Sequence, residues 1–176
     1  MKYLLCVISN QENKYLKDLL LKSWINDLCK EDNIDYLFVY DNKNLSSYYD
    51  YNEEEKELQI RCLDDLKILD SLKMNKLYNF LMQFNKYKKC DVFIKCPDDI
   101  YIHNNKFRRL LSLTKKIPYF GVYTDYQTPF NNFLNCVPTG DWQGPYYENI
   151  YWFHKEVLEY YVDKLTFVRM EECGLE

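Results

Sequence analysis

The chain has 176 residues, 47% hydrophobic and 18% aromatic, with a formal net charge of −4. That is enough apolar chain for one domain over 1–176 with its own core, and far from a disordered composition. It excludes the basic footprint of a nucleic-acid binder, and no run reaches the roughly 18–20 apolar residues of a membrane span. In chain order, residues 2–8 predict a buried first strand, too short for the apolar core of a signal peptide. Asn10 is placed to cap a helix, and Tyr15, Leu16, Leu19, Leu20, Trp24, Ile25 and Leu28 then fall at helical spacing up to Cys29. Tyr36 to Tyr40 predicts a second buried strand, so the chain opens with a βαβ unit and a parallel sheet. Asp41 to Glu57 is polar and acidic and reads as a loop or short helix. Leu58 to Leu63 reads as a short strand, and Asp65 to Tyr87 as a long helix.

The next stretch, Val92 to Asn105, reads VFIKCPDDIYIHNN. Its apolar start fits a buried strand, and Pro97, with no N–H, ends the ladder. Asp98 and Asp99 follow, then a second β-like run, Ile100-Tyr101-Ile102. Adjacent carboxylates repel, and a divalent cation commonly offsets the repulsion. Asp-Asp after Pro is also ordinary turn chemistry. Asn104 or Asn105 is placed to cap a helix running through Lys116, and His103 falls on the surface before it. Tyr119 to Tyr123 reads as a strand, and Asn149 to Phe153 as another, followed by a helix from His154 to Leu165. Between these strands, Thr124 to Tyr147 is a long aperiodic stretch rich in aromatics, which argues for a functional loop.

The seven cysteines contain no C-x-x-C pair, so the spacing of structural zinc sites is absent. They read as small core hydrophobes in a reducing compartment, and the expected location is the cytoplasm. Alanine is absent, while Lys, Asn, Tyr, Ile and Leu are abundant. That usage fits an AT-rich genome, such as a large DNA virus, in which case the compartment is the host cytoplasm.

Taken together, Lys95-Cys96-Pro97-Asp98-Asp99-Ile100-Tyr101-Ile102 resembles the Lys-x-Asp-Asp-Asp motif and following strand of glycosyltransferase family 31, the β1,3-galactosyltransferase and fringe-like enzymes. Ser23-Trp24, Asp65, Leu72-Lys73, Tyr119-Phe120-Gly121, Pro145-Tyr146-Tyr147, Tyr151 and Glu171-Glu172 resemble weaker family landmarks in the same order. The resemblance implies a GT-A-like, Rossmann-like α/β fold, with a central mostly parallel sheet flanked by helices. It implies a metal-dependent inverting transfer of sugar from a nucleotide sugar, a UDP-sugar, to a glycan or glycoprotein acceptor, without nucleic acid or a transmembrane segment. The last Asp of the motif binds metal in the family, so Asp99 takes that role with Asp98 beside it, and Mn2+ or Mg2+ is the cation. Lys95, Asp98 and Asp41 are assigned to the cofactor, with Tyr40-Asp41 near base or ribose. Glu172 is the catalytic base, with Asp141 and Glu148 in reserve. Trp142, Tyr146 and Tyr147 form the acceptor side.

Pro97 replaces one Asp of the family motif, and Glu148-Asn149-Ile150 replaces its Gly-rich turn. The family's metal-binding histidine lies beyond the position of Glu171-Glu172. These departures keep two other readings open. One is a catalytically reduced binding or assembly module. The other is a metal-dependent nucleotidyltransferase or phosphohydrolase, which would also use paired carboxylates.

Overall fold

The computed structural model describes residues 1–30, 33–61, 69–116, 119–121 and 150–160. Within them lies a seven-stranded sheet ordered β3-β4-β2-β1-β5-β7-β6. The strands are β1 (Tyr3–Ser9), β2 (Ile34–Asp41), β3 (Tyr49–Asn52), β4 (Glu57–Ile60), β5 (Val92–Pro97), β6 (Tyr119–Gly121) and β7 (Tyr151–His154). β1 pairs in parallel with β2 on one side and β5 on the other, and β4 pairs in parallel with β2. β3 and β7 run against their neighbours. The fold is therefore an α/β Rossmann-like one with a mostly parallel sheet.

Both sheet faces are covered, which is why β1, β2 and β5 are near-continuous apolar runs and do not alternate. On one face Leu4, Cys6, Leu37, Val39, Leu58 and Phe93 pack under helix α3 (Leu69–Gln83), through Leu77, Tyr78, Phe80 and Leu81. On the other, Leu5, Val7, Phe38, Val92 and Ile94 pack under the first helix and α4 (Asn104–Thr114). The first helix consists of α1 (Leu16–Leu20), a π segment (Leu21–Ile25) and α2 (Asn26–Cys29). It buries Leu20, Trp24, Ile25 and Leu28.

Five expectations need correction. Tyr15 and Leu19 are exposed at 74% and 61%. The helix starts only at Leu16, and the π segment shifts its apolar face. Ile100–Ile102 is not a strand, because β5 ends at Pro97 and the chain turns immediately. The acidic stretch 41–57 is not a plain loop. It holds the end of β2, all of β3 and the turn into β4, with Tyr49 and Tyr51 half-buried and Asp50 and Asn52 exposed. Finally, α4 is capped by neither asparagine: His103 stands at its start, and its carbonyl accepts from the Phe107 N–H at 3.0 Å. Nor does Asn10 cap the first helix: its Oδ1 accepts from the Asn13 N–H at 2.8 Å in the turn before it, and the helix begins at Leu16 with no side-chain cap.

Candidate functional site

The parallel strands β4, β2, β1 and β5 end together at one sheet edge. Register aligns Gln59 with Tyr40, and Tyr40 with Ser9. Ile8 pairs with Pro97, which brings Ser9 to Asp98. In parallel strands, residues in register share a face. Gln59, Tyr40, Ser9 and Asp98 thus make a polar row across four strands, about 14 Å wide at the usual strand spacing. Open α/β sheets bind ligands beyond these carboxyl ends.

At one end of the row the Ser9 hydroxyl donates to Asp98 Oδ2 at 2.6 Å. Asp98 is half-buried, and Asp99, next along the turn, is exposed. The turn is held from its far side as well. Asn104 Nδ2 donates to the Trp24 carbonyl at 3.3 Å, and Arg108 Nη2 to the Asp27 carbonyl at 3.2 Å. Those carbonyls lie in and after the π segment, so the first helix anchors the start of α4. Cys96, just before the turn, is buried. Burial and the Asp99 and Asp98 carboxylates push its thiol up to about 12 against an opposing Lys95, so it stays neutral.

At the other end, three amides converge. Gln59 Oε1 accepts from Asn42 Nδ2 at 2.7 Å and from Gln11 Nε2 at 3.1 Å. Between the ends stands Tyr40, 1% exposed, whose hydroxyl has no hydrogen-bond partner among the described residues. Burial, then the Glu57, Asp98 and Asp18 carboxylates, push its phenol well above the usual range. Lys14 Nζ lies 5.5 Å from its ring centre and pairs with Glu57 at 2.6 Å. Glu57 also pairs with buried Lys17 at 2.9 Å. Burial alone would raise the Glu57 carboxyl, but hydrogen bonds from Lys14 and Lys17 outweigh it and hold the group below its ordinary range.

Of the residues singled out in the sequence, Asp98, Asp99 and Asp41 reach this edge, with Asp41 closing β2 on the side of β1 away from β5. Lys95 does not join them. It pairs with Cys6 and Tyr151 deeper in the sheet and, by alternation along β5, falls on the Phe93 face. Glu172, Asp141, Glu148, Trp142, Tyr146 and Tyr147 lie outside the described residues. Ser9 and Gln59 went unread in the sequence. A serine closing a buried strand is a weak signal, and only the register shows what it meets.

A hard divalent cation takes carboxylate oxygens, and the Asp98-Asp99 turn offers them at an accessible edge. Among the described residues there is no cluster of three or more His, Cys, Asp or Glu able to hold a metal. Mg2+-type sites often use only one or two carboxylates, with water and substrate phosphates completing the shell, so the pair fits that class.

No protein-family model matches the chain, and no curated protein does. Among solved structures it is similar to a CMP:2-keto-3-deoxy-manno-octonic acid synthetase complexed with CTP. The match covers 99% of this chain and 87% of that one, at 11% identity and a TM-score of 0.50. At that identity the likeness shows the fold, an α/β sheet of Rossmann type.

Proposed function

We propose that the protein binds a nucleotide sugar, a UDP-sugar, across the carboxyl edge of its sheet. In this reading it transfers the sugar with inversion to a glycan or glycoprotein acceptor, as a member of the glycosyltransferase family 31 type. The observation that carries the reading is the Ser9–Asp98 contact with Asp99 exposed beside it, at the edge where such sheets bind ligands. Asp99 and Asp98 would hold Mn2+ or Mg2+. When bound, the cation stabilises the charge of the departing diphosphate. Ser9 fixes the Asp98 carboxylate. Asn42 and Gln59 offer amide donors and acceptors for the base, with Asp41 near the ribose. Lys95 takes no part in this reading, because it lies on the Phe93 face of the sheet. Glu172 takes the acceptor proton as general base, and Trp142, Tyr146 and Tyr147 stack on the acceptor sugar.

A second reading draws on the solved structure bound to CTP: a nucleotidyltransferase that joins a nucleotide to a sugar acid with loss of pyrophosphate. One experiment separates the two. Thermal shift is measured with a panel of UDP-sugars and with CTP, each with Mn2+ and with EDTA. A ligand at 100 times its dissociation constant adds about 2.7 kcal/mol of stability. A Mn2+-dependent shift with a UDP-sugar, followed by UDP release on adding acceptor, supports the transferase. A shift with CTP alone, followed by pyrophosphate release, supports the second reading. Equal shifts in EDTA would remove the metal from both.

A further inference from the structure

The opposite end of the sheet, where β1, β2 and β5 begin, carries a different chemistry. Four segments far apart in sequence are tied together there. The Asp91 N–H donates to the Lys2 carbonyl at 2.8 Å, and the Lys155 N–H to the Asp91 carbonyl at 2.8 Å. The Tyr3 hydroxyl meets Thr114 Oγ1 at 3.3 Å, and His154 Nε2 meets the Thr114 carbonyl. Each segment brings lysine: Lys2, Lys88 and Lys89, Lys115 and Lys116, and Lys155.

The carboxylates at this end are mostly engaged. Asp91 accepts from the Lys2 N–H at 2.7 Å, Asp35 pairs with Lys56, Glu53 with Lys86 at 3.2 Å, and Glu159 with Lys155 at 3.7 Å. The side chains of Lys2, Lys88, Lys89, Lys115 and Lys116 are exposed and have no carboxylate partner among the described residues, against Glu54, Asp91 and Glu156 as exposed carboxylates without a lysine partner. Lys2, Lys86 and Lys89 line an open cleft of about 590 Å³. An acidic protein thus concentrates unpaired positive charge at the pole farthest from its carboxylate turn.

We propose that this lysine collar seats the protein on an anionic phospholipid surface, with the carboxylate edge facing away from the bilayer. Clustered lysines near a lipid surface gain affinity one by one without a shaped pocket. Protein interfaces are instead anchored by aromatics and arginine and depleted in lysine. The exposed tyrosines Tyr15, Tyr48 and Tyr101 stand by the loops after β1, β2 and β5, at the other end of the sheet, and Tyr160, in the helical turn after β7, is a single exposed tyrosine on the collar side. Nucleic-acid readout calls for arginine forks on base edges or aromatic platforms, and the collar is lysine throughout. No helix among the described residues is long and apolar enough to cross a membrane, so the attachment is peripheral and electrostatic.

The test is co-sedimentation of the full chain with phosphatidylcholine vesicles and with vesicles containing about 30% phosphatidylserine, whose charge creates the attraction. Binding should require phosphatidylserine and vanish at roughly 1 M salt, where the Debye length falls to about 3 Å. Lys89→Gln/Lys115→Gln/Lys116→Gln should lower partitioning roughly a hundredfold, at about fivefold per lysine. The same three sites changed to Glu should abolish it. Lys22→Gln/Lys106→Gln/Arg109→Gln, exposed positions outside the collar, should leave most of it. Circular dichroism checks that each variant is folded. Equal binding to both vesicle types would overturn the proposal. So would equal loss in the control variant, or tighter binding to duplex RNA than to the charged vesicles at the same salt.

Discussion

The Ser9 hydroxyl and Asp98 Oδ2 meet at 2.6 Å across 89 positions of sequence. Because Ser9 is 6% exposed, this contact fixes one carboxylate of the turn from inside the protein. A hydrogen bond to a charged group is worth about 1.5–3 kcal/mol where it is well shielded, and less beside half-buried Asp98. Ser9→Ala should therefore lower the stability of the free protein by about 1 kcal/mol. It should weaken Mn2+-dependent UDP-sugar binding several-fold, read by titration calorimetry. Unchanged affinity would separate Ser9 from the site.

Asp99 is exposed on a turn fixed by Pro97 on one side and by the anchored start of α4 on the other. Asp99→Asn keeps the shape and removes one charge. Sugar transfer or donor hydrolysis with Mn2+ should fall roughly a hundredfold, the usual cost of one key electrostatic group. The melting temperature should hold or rise slightly, since adjacent like charges no longer repel. Asp98→Asn should cost less. Parent-level turnover in Asp99→Asn would refute its assignment as the metal ligand.

The Lys17–Glu57 pair is nearly dry, with side chains 10% and 7% exposed. Glu57→Gln leaves Lys17 with only the exposed Glu55 as partner, and stability should fall by about 3 kcal/mol in urea melts at neutral pH. The Glu57 carboxyl is held below its unfolded value, so its contribution is present above the ordinary carboxylate range and is lost as pH falls through the depressed folded value. Lys17 is held above its unfolded value. Burial works against this, but the hydrogen bonds Lys17 donates to Glu55 and Glu57 outweigh it, so its contribution is lost only as pH rises through that raised value. The acid limb of stability against pH should be shallower in Glu57→Gln. An identical limb would mean that other carboxylates control acid unfolding.

Tyr40 buries a hydroxyl with no partner among the described residues. Removing such a group without leaving a hole is neutral or favourable. Tyr40→Phe should raise the melting temperature of the free protein by about 2–4 °C, corresponding to about 1 kcal/mol. A clear fall in melting temperature would show that the hydroxyl is satisfied in solution.

The sequence reveals β1, β2 and β5 because strands covered on both faces must be apolar throughout. It shows β4 as the strand read from Leu58 but hides its partner β3, where two half-buried tyrosines alternate with exposed polar residues in an acidic stretch. It misreads Tyr15 and Leu19, because a π segment moves the apolar face without marking the composition. In the site, Asp98 and Asp99 announce themselves as neighbours. Ser9, Tyr40 and Gln59 converge only through the register of strands β1, β2 and β4. No local pattern encodes a contact of that kind.

The central place of β1 also sets an order on synthesis. Its first partner, β2, arrives about thirty residues later, but its second, β5, is complete only at Pro97. Until then a nascent chain carries a strand whose five residues from Tyr3 to Val7 all belong to the core, with one flank of N–H and C=O groups open. Such an edge is a template for pairing with another chain. The early half of this protein is thus its aggregation hazard during translation, and slow delivery of β5 would prolong it.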